Sequence, residues 1–280
     1  MANKIMKKKI QFSILIFSVL ALIFSSNCKL AYAKKITTNE KEKLTNLSHL
    51  NLTKDDASNL KFVKQLIKSK IPKGIYIEQW ILDKPGNTKL IGKLHKLTKK
   101  NNIKLYLVVG RNSWFGKRGV LYTLDFLTKY EKDIDGIVLR VEPNKVNVWK
   151  DDIAIQAQVL NQMLNAYSAI YQETKKKKKI FIAEFPFWLS DFQGTLKSFS
   201  QNVCDYTDKI IFLIDNLEKL DNLDIKWNDV PCMYNINITK RATNQSEELT
   251  HDTYNKLKEK LVLYSNFNGY LIDSNSSISE

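Results

Sequence analysis

The stretch Asp135–Pro143 reads Asp-Gly-Ile-Val-Leu-Arg-Val-Glu-Pro, a short apolar strand that ends in a carboxylate and a proline. Proline cannot donate to a strand ladder, so it marks the end of the strand. By the two-residue alternation of strands, Val138, Arg140 and Glu142 share one face, and the other face is aliphatic, as expected of a strand backed by helices. Charged side chains are costly to bury, and a carboxylate at the C-terminal tip of a parallel strand lies where α/β barrels place their active sites.

Strand-like and helix-like segments alternate along the rest of the chain. Seven strands are predicted at 74–82, 103–110, 136–142, 180–185, 209–215, 230–238 and 267–273, and helices are predicted at 55–70, 88–100, 120–130, 151–173, 194–203 and 247–263. The stretch 44–52 has an ambiguous pattern that could supply an eighth strand. This alternation predicts one α/β domain over residues 44–280, a single (β/α)8 TIM-like barrel. A doubly wound open sheet is the alternative, and the lack of a Gly-x-Gly-x-x-Gly turn after any strand counts against it.

The first 33 residues have the three parts of a signal peptide. Lys7–Lys9 is a basic region, Ile10–Phe24 is an apolar core too short to span a bilayer comfortably, and Ala31–Ala33 is an Ala-Tyr-Ala cleavage signal. We expect cleavage after Ala33, which leaves a polar leader over residues 34–43; an uncleaved anchor is the alternative. The sequence therefore predicts export to the periplasm, the cell envelope or the extracellular medium, with only transient membrane contact through the signal peptide.

The formal net charge is +15 over 280 residues. An excess of basic residues can indicate binding to nucleic acid, to an acidic polymer or to an anionic membrane, or it can simply be a lysine-rich solvated surface. We favour the solvated surface and expect no nucleic-acid partner. Cys204 and Cys232 are the two cysteines that remain after signal cleavage, and export permits a disulfide between them without proving it. The three histidines are isolated and no Cys/His cluster has zinc spacing, so we expect no metal and no other cofactor.

Carboxylates fall at or near the C-terminal ends of five predicted strands, and tryptophans follow several of the same strands. In a closed barrel these ends meet over one mouth, where acids can act on a sugar and tryptophan rings can stack on its faces. The alternative is that some of the acids cap helices and some of the tryptophans fill the top of the barrel. The acids are Glu78, Glu142, Glu184, Asp215 and Asp273, and the tryptophans are Trp80, Trp114, Trp149 and Trp188.

The same stretch resembles the strand-four signature of family 18 glycoside hydrolases, in which an Asp-Gly pair is followed by alternating acids and a terminal Glu. Asp135, Gly136 and Glu142 match this pattern, whereas Val138 and Arg140 stand where the family has aspartates.

Residues 232–235, Cys-Met-Tyr-Asn, resemble the Met-x-Tyr-Asp segment of the same family, although they fall one strand later than the family's order if Glu142 ends strand four. The resemblance implies that Tyr234 is the matching catalytic tyrosine and that Asn235 contributes to substrate binding.

A closer resemblance is to uncharacterised exported bacterial barrel proteins. These proteins have a Gly-Asp-Pro-Ser-Trp-like turn, a Gly-x-x-x-Asp-x-Glu-Pro strand, a tryptophan a few residues later and a Pro-Phe-Trp segment. Here the corresponding segments are Gly110–Trp114, Gly136–Pro143, Trp149 and Pro186–Trp188. The match covers about residues 74 to 273 and implies a barrel that acts on or binds a carbohydrate.

Arg140 affects which mechanism to expect. In family 18 the terminal Glu is the general acid, and a neighbouring Asp positions the substrate's own acetamido nucleophile. A guanidinium favours an ionised carboxylate and cannot accept the acetamido N–H, so we do not expect this substrate-assisted mechanism. A mechanism with Glu142 as nucleophile and Glu184 or Glu78 as acid stays open, and so does a barrel in which Arg140 is a buried ion-pair partner.

Three functions remain open: an exported glycoside hydrolase-like enzyme, a catalytically inactive carbohydrate-binding barrel, and an envelope or host-facing interaction protein. Two acids at hydrolase separation over the mouth favour the first. An Arg140 that engages every nearby acid favours the second. A large exposed apolar patch away from the mouth favours the third.

Overall fold

The computed structural model describes residues 47–52, 63–64, 67, 72–83, 87–149, 152–190, 192, 198–214, 230–238 and 266–273. The chain divides into two units, residues 1–41 and 42–280, and every described residue belongs to the second. The predicted signal peptide and leader, the helix predicted at 247–263 and Asp215 lie outside the described residues. Within the described part of the chain, no helix combines the length and the apolar character needed to cross a membrane.

Eight parallel strands form a closed barrel in which each strand pairs with the next along the chain and the last pairs with the first. The ambiguous stretch 44–52 supplies the first strand, and all seven other predicted strands are present. This closed order is that of the predicted barrel and not of the open doubly wound sheet. The strands are β1 Leu47–Leu52, β2 Gly74–Glu78, β3 Lys104–Val109, β4 Gly136–Arg140, β5 Ile180–Pro186, β6 Lys209–Ile214, β7 Met233–Ile238 and β8 Phe267–Asp273.

Helices connect the strands on the outside of the barrel. In the described part of the chain they are α1 Gln79–Leu82, α2 Leu90–Lys100, α3 Lys117–Tyr130, α4 Ile153–Lys176 and α5 Phe199–Cys204. The long helix α4 begins where the Asp152 carboxylate accepts hydrogen bonds from the backbone N–H groups of Ala154 and Ile155, at 2.8 and 3.3 Å. These bonds satisfy two of the donors that every helix start leaves open.

Two strands end at least two residues earlier than the alternation predicts. The pattern predicts a strand as far as Leu82, but β2 ends at Glu78 and α1 begins at the next residue. Four residues are too few to show a helical period, so α1 could not be predicted from the pattern of apolar residues. The pattern also predicts that β4 includes Glu142, but β4 ends at Arg140, and a short 3-10 helix follows over Pro143–Lys145. Glu142 therefore lies beyond the strand and not on the interior face that Arg140 shares with Val138.

The barrel interior changes from apolar to polar along the strands. Two stacked tyrosine rings, Tyr76 and Tyr106, lie 4.8 Å apart between their centroids and fill the middle of the barrel. Two residues further along β2, at the next position that faces the interior, Tyr76 is followed by the charged Glu78. The buried interior cluster consists of Tyr76, Tyr106, Val108, Val138, Ile182, Ile211 and Leu271.

The Asp-Gly pair before and at the start of β4 has a structural role at the opposite end of the barrel. The Asp135 carboxylate accepts a hydrogen bond from the backbone N–H of Leu105 at 2.9 Å and another from Lys104 Nζ at 3.1 Å. A Cβ at Gly136 would lie 2.4 Å from the carbonyl oxygen of Ile180 on β5, so only glycine allows these strands to approach. This packing explains the pair without any reference to catalysis.

A disulfide joins Cys204, the last residue of α5, to Cys232. The sequence predicts that Cys232 lies within a strand, but β7 begins one residue later, at Met233. The half-exposed turn that carries Cys232 therefore lies next to the end of α5.

Candidate functional site

Three strand ends contribute to one ion-paired cluster at the mouth of the barrel. Arg140, the last residue of β4, donates from Nε to Glu184 Oε2 at 2.8 Å and from Nη2 to Glu184 Oε1 at 3.1 Å. Its third hydrogen bond runs from Nη1 to Glu78 Oε1 at 2.7 Å. The sequence predicts that strand-end acids meet over one mouth, and Arg140 brings the acids of β2 and β5 together. We call Glu78, Arg140 and Glu184 the mouth triad.

Glu184 is the buried centre of the mouth triad. Its side chain is completely buried, whereas that of Arg140 is 24% exposed and that of Glu78 is 17% exposed. Asn237 on β7 adds a fourth contact, donating from Nδ2 to Glu184 Oε1 at 2.9 Å. Both oxygens of Glu184 therefore accept hydrogen bonds, which is how a buried carboxylate avoids the cost of losing water.

The backbone holds Arg140 in place from two sides. The N–H of the next residue, Val141, donates to the carbonyl of Glu184 at 3.0 Å, so the contact between these two chain segments continues past the end of β4. On the β3 side, Gly110 has a φ of +125°, and a Cβ there would lie 2.2 Å from the carbonyl oxygen of Arg140. Only glycine fits this backbone conformation and this approach. Gly110 belongs to the turn motif Gly110–Trp114 of the sequence, and nothing in that motif indicates this close approach to Arg140.

Glu142 has a different partner from the other two acids. It precedes the 3-10 helix Pro143–Lys145 and forms an ion pair with Lys145 three residues later. Its side chain is one quarter exposed. Because it lies beyond the strand, the sequence-based pairing of Glu142 with Arg140 on one strand face is wrong, and the acids bound to Arg140 are Glu78 and Glu184.

Two of the four predicted tryptophans come together in the segments that follow β4 and β5 at the mouth end of the barrel. Trp149 follows β4, and Trp188 lies in the 3-10 helix that follows β5; their ring centroids are 5.6 Å apart in an edge-to-face arrangement. Phe192 contacts Trp149 at 6.4 Å. Both tryptophans are half-buried. They therefore form an aromatic surface beside the strands that carry Arg140 and Glu184.

The other two tryptophans are placed differently. Trp80 lies on α1 and is 49% exposed. Trp114 packs against Tyr122 and Phe126 of α3, with ring centroids 5.6 and 6.4 Å away.

Tyr234 and Asn235, the two residues taken from the family 18 resemblance, lie on opposite faces of β7, and Asn237 was not predicted as a site residue. Asn237 points into the barrel, where it contacts Glu184. Tyr234 is three residues away, so the strand alternation directs it to the opposite side, where its ring packs between Phe212 and Phe267 at 5.7 and 5.8 Å. Asn235 is buried and accepts a hydrogen bond at Oδ1 from Asn268 Nδ2 at 3.2 Å. Asp273 ends β8, and its side chain lies outside the described part.

The pKa of Tyr76, which lies below the mouth triad in the barrel interior, is affected by the charge of Glu184. Burial, with smaller effects from Tyr106 and Glu184, raises the pKa of Tyr76 well above its ordinary value. Tyr76 therefore stays a neutral phenol under the negative charge of Glu184. The described residues contain no group of three or more His, Cys, Asp or Glu side chains that could hold a metal ion.

No protein-family model matches the sequence, and no curated protein matches it. Solved structures do resemble the fold. A xylose isomerase domain-containing protein from Salmonella typhimurium LT2 aligns with a TM-score of 0.52 at 9% identity, over 84% of this chain and 90% of its own. A psychrophilic family 10 endo-β-1,4-xylanase aligns with a TM-score of 0.51 at 10% identity, over 81% and 86% of the two chains. A D-psicose 3-epimerase aligns with a TM-score of 0.51 at 11% identity, over 81% and 84%. At these identities the likeness shows the α/β barrel fold alone.

Proposed function

We propose that this protein is a carbohydrate-binding barrel whose mouth holds a sugar without cleaving it. The observation that carries the proposal is that each candidate acid whose side chain is described is engaged by a base. Arg140 binds Glu78 and Glu184, and Lys145 binds Glu142. An arginine that engages the nearby acids is the arrangement expected of the non-catalytic alternative.

The contacts of Glu184 argue against a role as general acid. A general acid must carry a proton on one carboxyl oxygen and direct it at the leaving group. Here Oε1 accepts from Asn237 and Arg140, and Oε2 accepts from Arg140. Protonating either oxygen would place a hydrogen where an N–H donor already points, at a side chain with no access to solvent.

The aromatic surface favours a sugar as the ligand. Sugars present faces of C–H groups and edges of hydroxyls, so they bind where aromatic rings stand next to hydrogen-bonding side chains. Trp149 and Trp188 supply the rings, and the partly exposed Arg140 and Glu78 supply polar groups at the same end of the barrel. The resemblance to exported barrel proteins and to family 18 supports the same class of ligand.

The test is to incubate the protein with an array of bacterial and host glycans and to score both binding and release of reducing ends. We expect binding without release, and we expect Trp149→Ala with Trp188→Ala to weaken binding at least about tenfold. Trp114→Ala is the matched control, since it removes a half-buried tryptophan that packs against α3. Release of reducing ends by the unaltered protein, abolished in Glu142→Gln or Glu184→Gln, would replace this proposal with the hydrolase.

We also infer that the chain is exported and processed after Ala33. The support is the three-part N-terminal pattern in the sequence and the Cys204–Cys232 disulfide. Disulfides persist in oxidising compartments and are rare in the cytosol.

A further inference from the structure

The end of the barrel opposite the mouth carries a strong excess of positive charge. This end consists of the last turns of α2 to α5 and the residues that lead into β2 to β6. Twelve lysines and six acids lie there, an excess of six positive charges. We call this surface the basic face; it comprises residues 72–74, 97–104, 127–136, 173–180 and 201–209.

The mouth end is nearly neutral by comparison. Its described strand ends, loops and first helical turns contain seven basic and six acidic residues, an excess of one positive charge. Those residues are 78–83, 87–93, 110–120, 140–149, 152–156, 184–190 and 273. The positive charge of the described chain is therefore concentrated at one end and does not follow from a uniformly lysine-rich surface.

Contacts across the basic face show that its lysines form one surface. Lys177 on one helix end pairs with Glu131 beyond another at 2.6 Å, and Lys175 pairs with Asp208 before β6 at 2.6 Å. Burial lowers the pKa of Lys209, Asp208 opposes this change, and Lys73 adds to it. Lys73 precedes β2 and Lys209 begins β6, so positive charges from opposite sides of the barrel act on each other.

Helix dipoles account for only part of this surface. Lysines in a last helical turn are favoured by the negative end of the helix, which explains Lys99, Lys100 and Lys176. It does not explain Lys73 or Lys104, which lie just before or at the start of strands. The side chains of Lys104 and Lys176 are 51% and 69% exposed although each is paired with an acid, Asp135 and Glu173 respectively.

Two large apolar side chains are exposed on the same face. Tyr206 lies between α5 and β6 and is 36% exposed, and Met233 begins β7 and is 45% exposed. Met233 is the register partner of Lys209 on the neighbouring strand. Lysines at the same end of the barrel as an exposed tyrosine and methionine fit a lipid surface, where the cations meet anionic headgroups and the apolar groups enter the interface.

We propose that the basic face docks on an anionic phospholipid surface and turns the mouth of the barrel away from the membrane. All strands are parallel, so their C-terminal ends, which form the mouth, lie at the opposite end of the barrel from the basic face.

The probe is vesicle co-sedimentation of the processed protein recovered after export. Vesicles of phosphatidylcholine alone are compared with vesicles that contain about one third phosphatidylglycerol, at about 0.1 M and about 0.5 M salt. We expect binding only to the anionic vesicles and loss of that binding at the higher salt concentration. Failure to bind the anionic vesicles at low salt would overturn the proposal, whatever the outcome of the glycan assay.

Charge-matched variants separate the basic face from net charge. Lys73→Gln, Lys100→Gln and Lys132→Gln together remove three exposed charges from the basic face, and Lys89→Gln, Lys93→Gln and Lys117→Gln remove three exposed charges from the mouth end. At about fivefold per lysine near the surface, the first set should weaken vesicle binding about 100-fold. Equal losses in the two sets would contradict a specific docking face.

A third variant distinguishes a bilayer from a soluble anionic polymer. Tyr206→Ser with Met233→Ser should weaken binding to anionic vesicles but leave binding to sodium polyphosphate unchanged, because only the bilayer has an apolar interface. Tight binding to polyphosphate with none to vesicles would identify a wall-type polymer as the partner instead. Circular dichroism of each variant checks that its fold is intact.

Discussion

Arg140 and Glu184, the register partners at the ends of β4 and β5, are joined by two nearly parallel hydrogen bonds, Nε to Oε2 at 2.8 Å and Nη2 to Oε1 at 3.1 Å. A guanidinium matches a carboxylate in this two-pronged geometry better than any other side chain. The pair lies towards the C-terminal ends of parallel barrel strands, where enzymes of this fold carry their active sites. In this barrel the same position is occupied by the hydrogen-bonded pair of Arg140 and Glu184.

Removing Arg140 should destabilise the protein because it leaves the buried charge of Glu184 without its main partner. Arg140→Ala should cost about 3 kcal/mol of unfolding free energy, the lower end of the range for breaking a buried pair, since the arginine is partly exposed. Urea unfolding measures the change, with the exposed Arg111→Ala as control. Adding Glu184→Gln to Arg140→Ala should restore part of the loss. An Arg140→Ala midpoint equal to that of the unaltered protein would show that the triad does not stabilise the fold.

Gly110 should tolerate no side chain. In Gly110→Ala the new Cβ would overlap the carbonyl of Arg140 at a φ of +125°, so we expect a loss on the order of 3 kcal/mol or failure to fold. Gly116→Ala is the matched control in the same loop, since nothing lies within 4 Å of its built Cβ. Its unfolding free energy should change by less than about 1 kcal/mol. Similar unfolding midpoints for the two variants would argue against the close approach of β3 and β4.

Three buried tyrosines should make the fold sensitive to alkali. Burial is the largest cause of the raised pKa of Tyr76, Tyr106 and Tyr167. In the unfolded chain phenols ionise near pH 10, whereas the folded protein keeps these protons at higher pH. Stability is therefore fully present below about pH 10 and falls as the pH rises further. Absorbance near 295 nm should show part of the tyrosine signal appearing only together with the loss of circular dichroism. Complete ionisation before any loss of circular dichroism would contradict this.

The processed protein should begin at Lys34. The basic region, the apolar core and the Ala-Tyr-Ala signal predict cleavage after Ala33. N-terminal sequencing of the protein recovered outside the cytoplasm measures this directly. A protein that retains Met1 would show an uncleaved anchor, and a start at a residue other than Lys34 would move the cleavage site.

The period of the apolar residues predicted the barrel because each strand has two or more aliphatic positions between polar connections. Even the ambiguous stretch that became β1 was identified as a candidate strand. The strand limits were predicted less well. Glu142 continues the alternation of Arg140 in the sequence, and nothing local showed that the ladder ends before it. Trp80 continues the alternation of Glu78 in the same way, although it lies on α1.

The ion pairs within the mouth triad could not be predicted from the sequence of any single segment. The sequence placed Glu78, Arg140 and Glu184 at strand ends, but which acids the arginine bridges depends on the stagger of three strands. Tyr234 is a second residue whose position could not be predicted from its own segment. A short motif resemblance selected it, but the face on which it lies is set by the register of β7 with its neighbours.

The pairing of β8 with β1 also has consequences for how the chain folds. The other strand pairs join elements that follow one another, whereas this one brings together the two ends of the described chain. Such a distant contact forms late, because the loop that it closes is the longest in the protein. Until β8 arrives, β1 and β7 each present an unpaired edge that another chain could join. If the chain is exported from its N-terminus, as we propose, β1 crosses the membrane before β8, and the closed barrel forms only after β8 has followed.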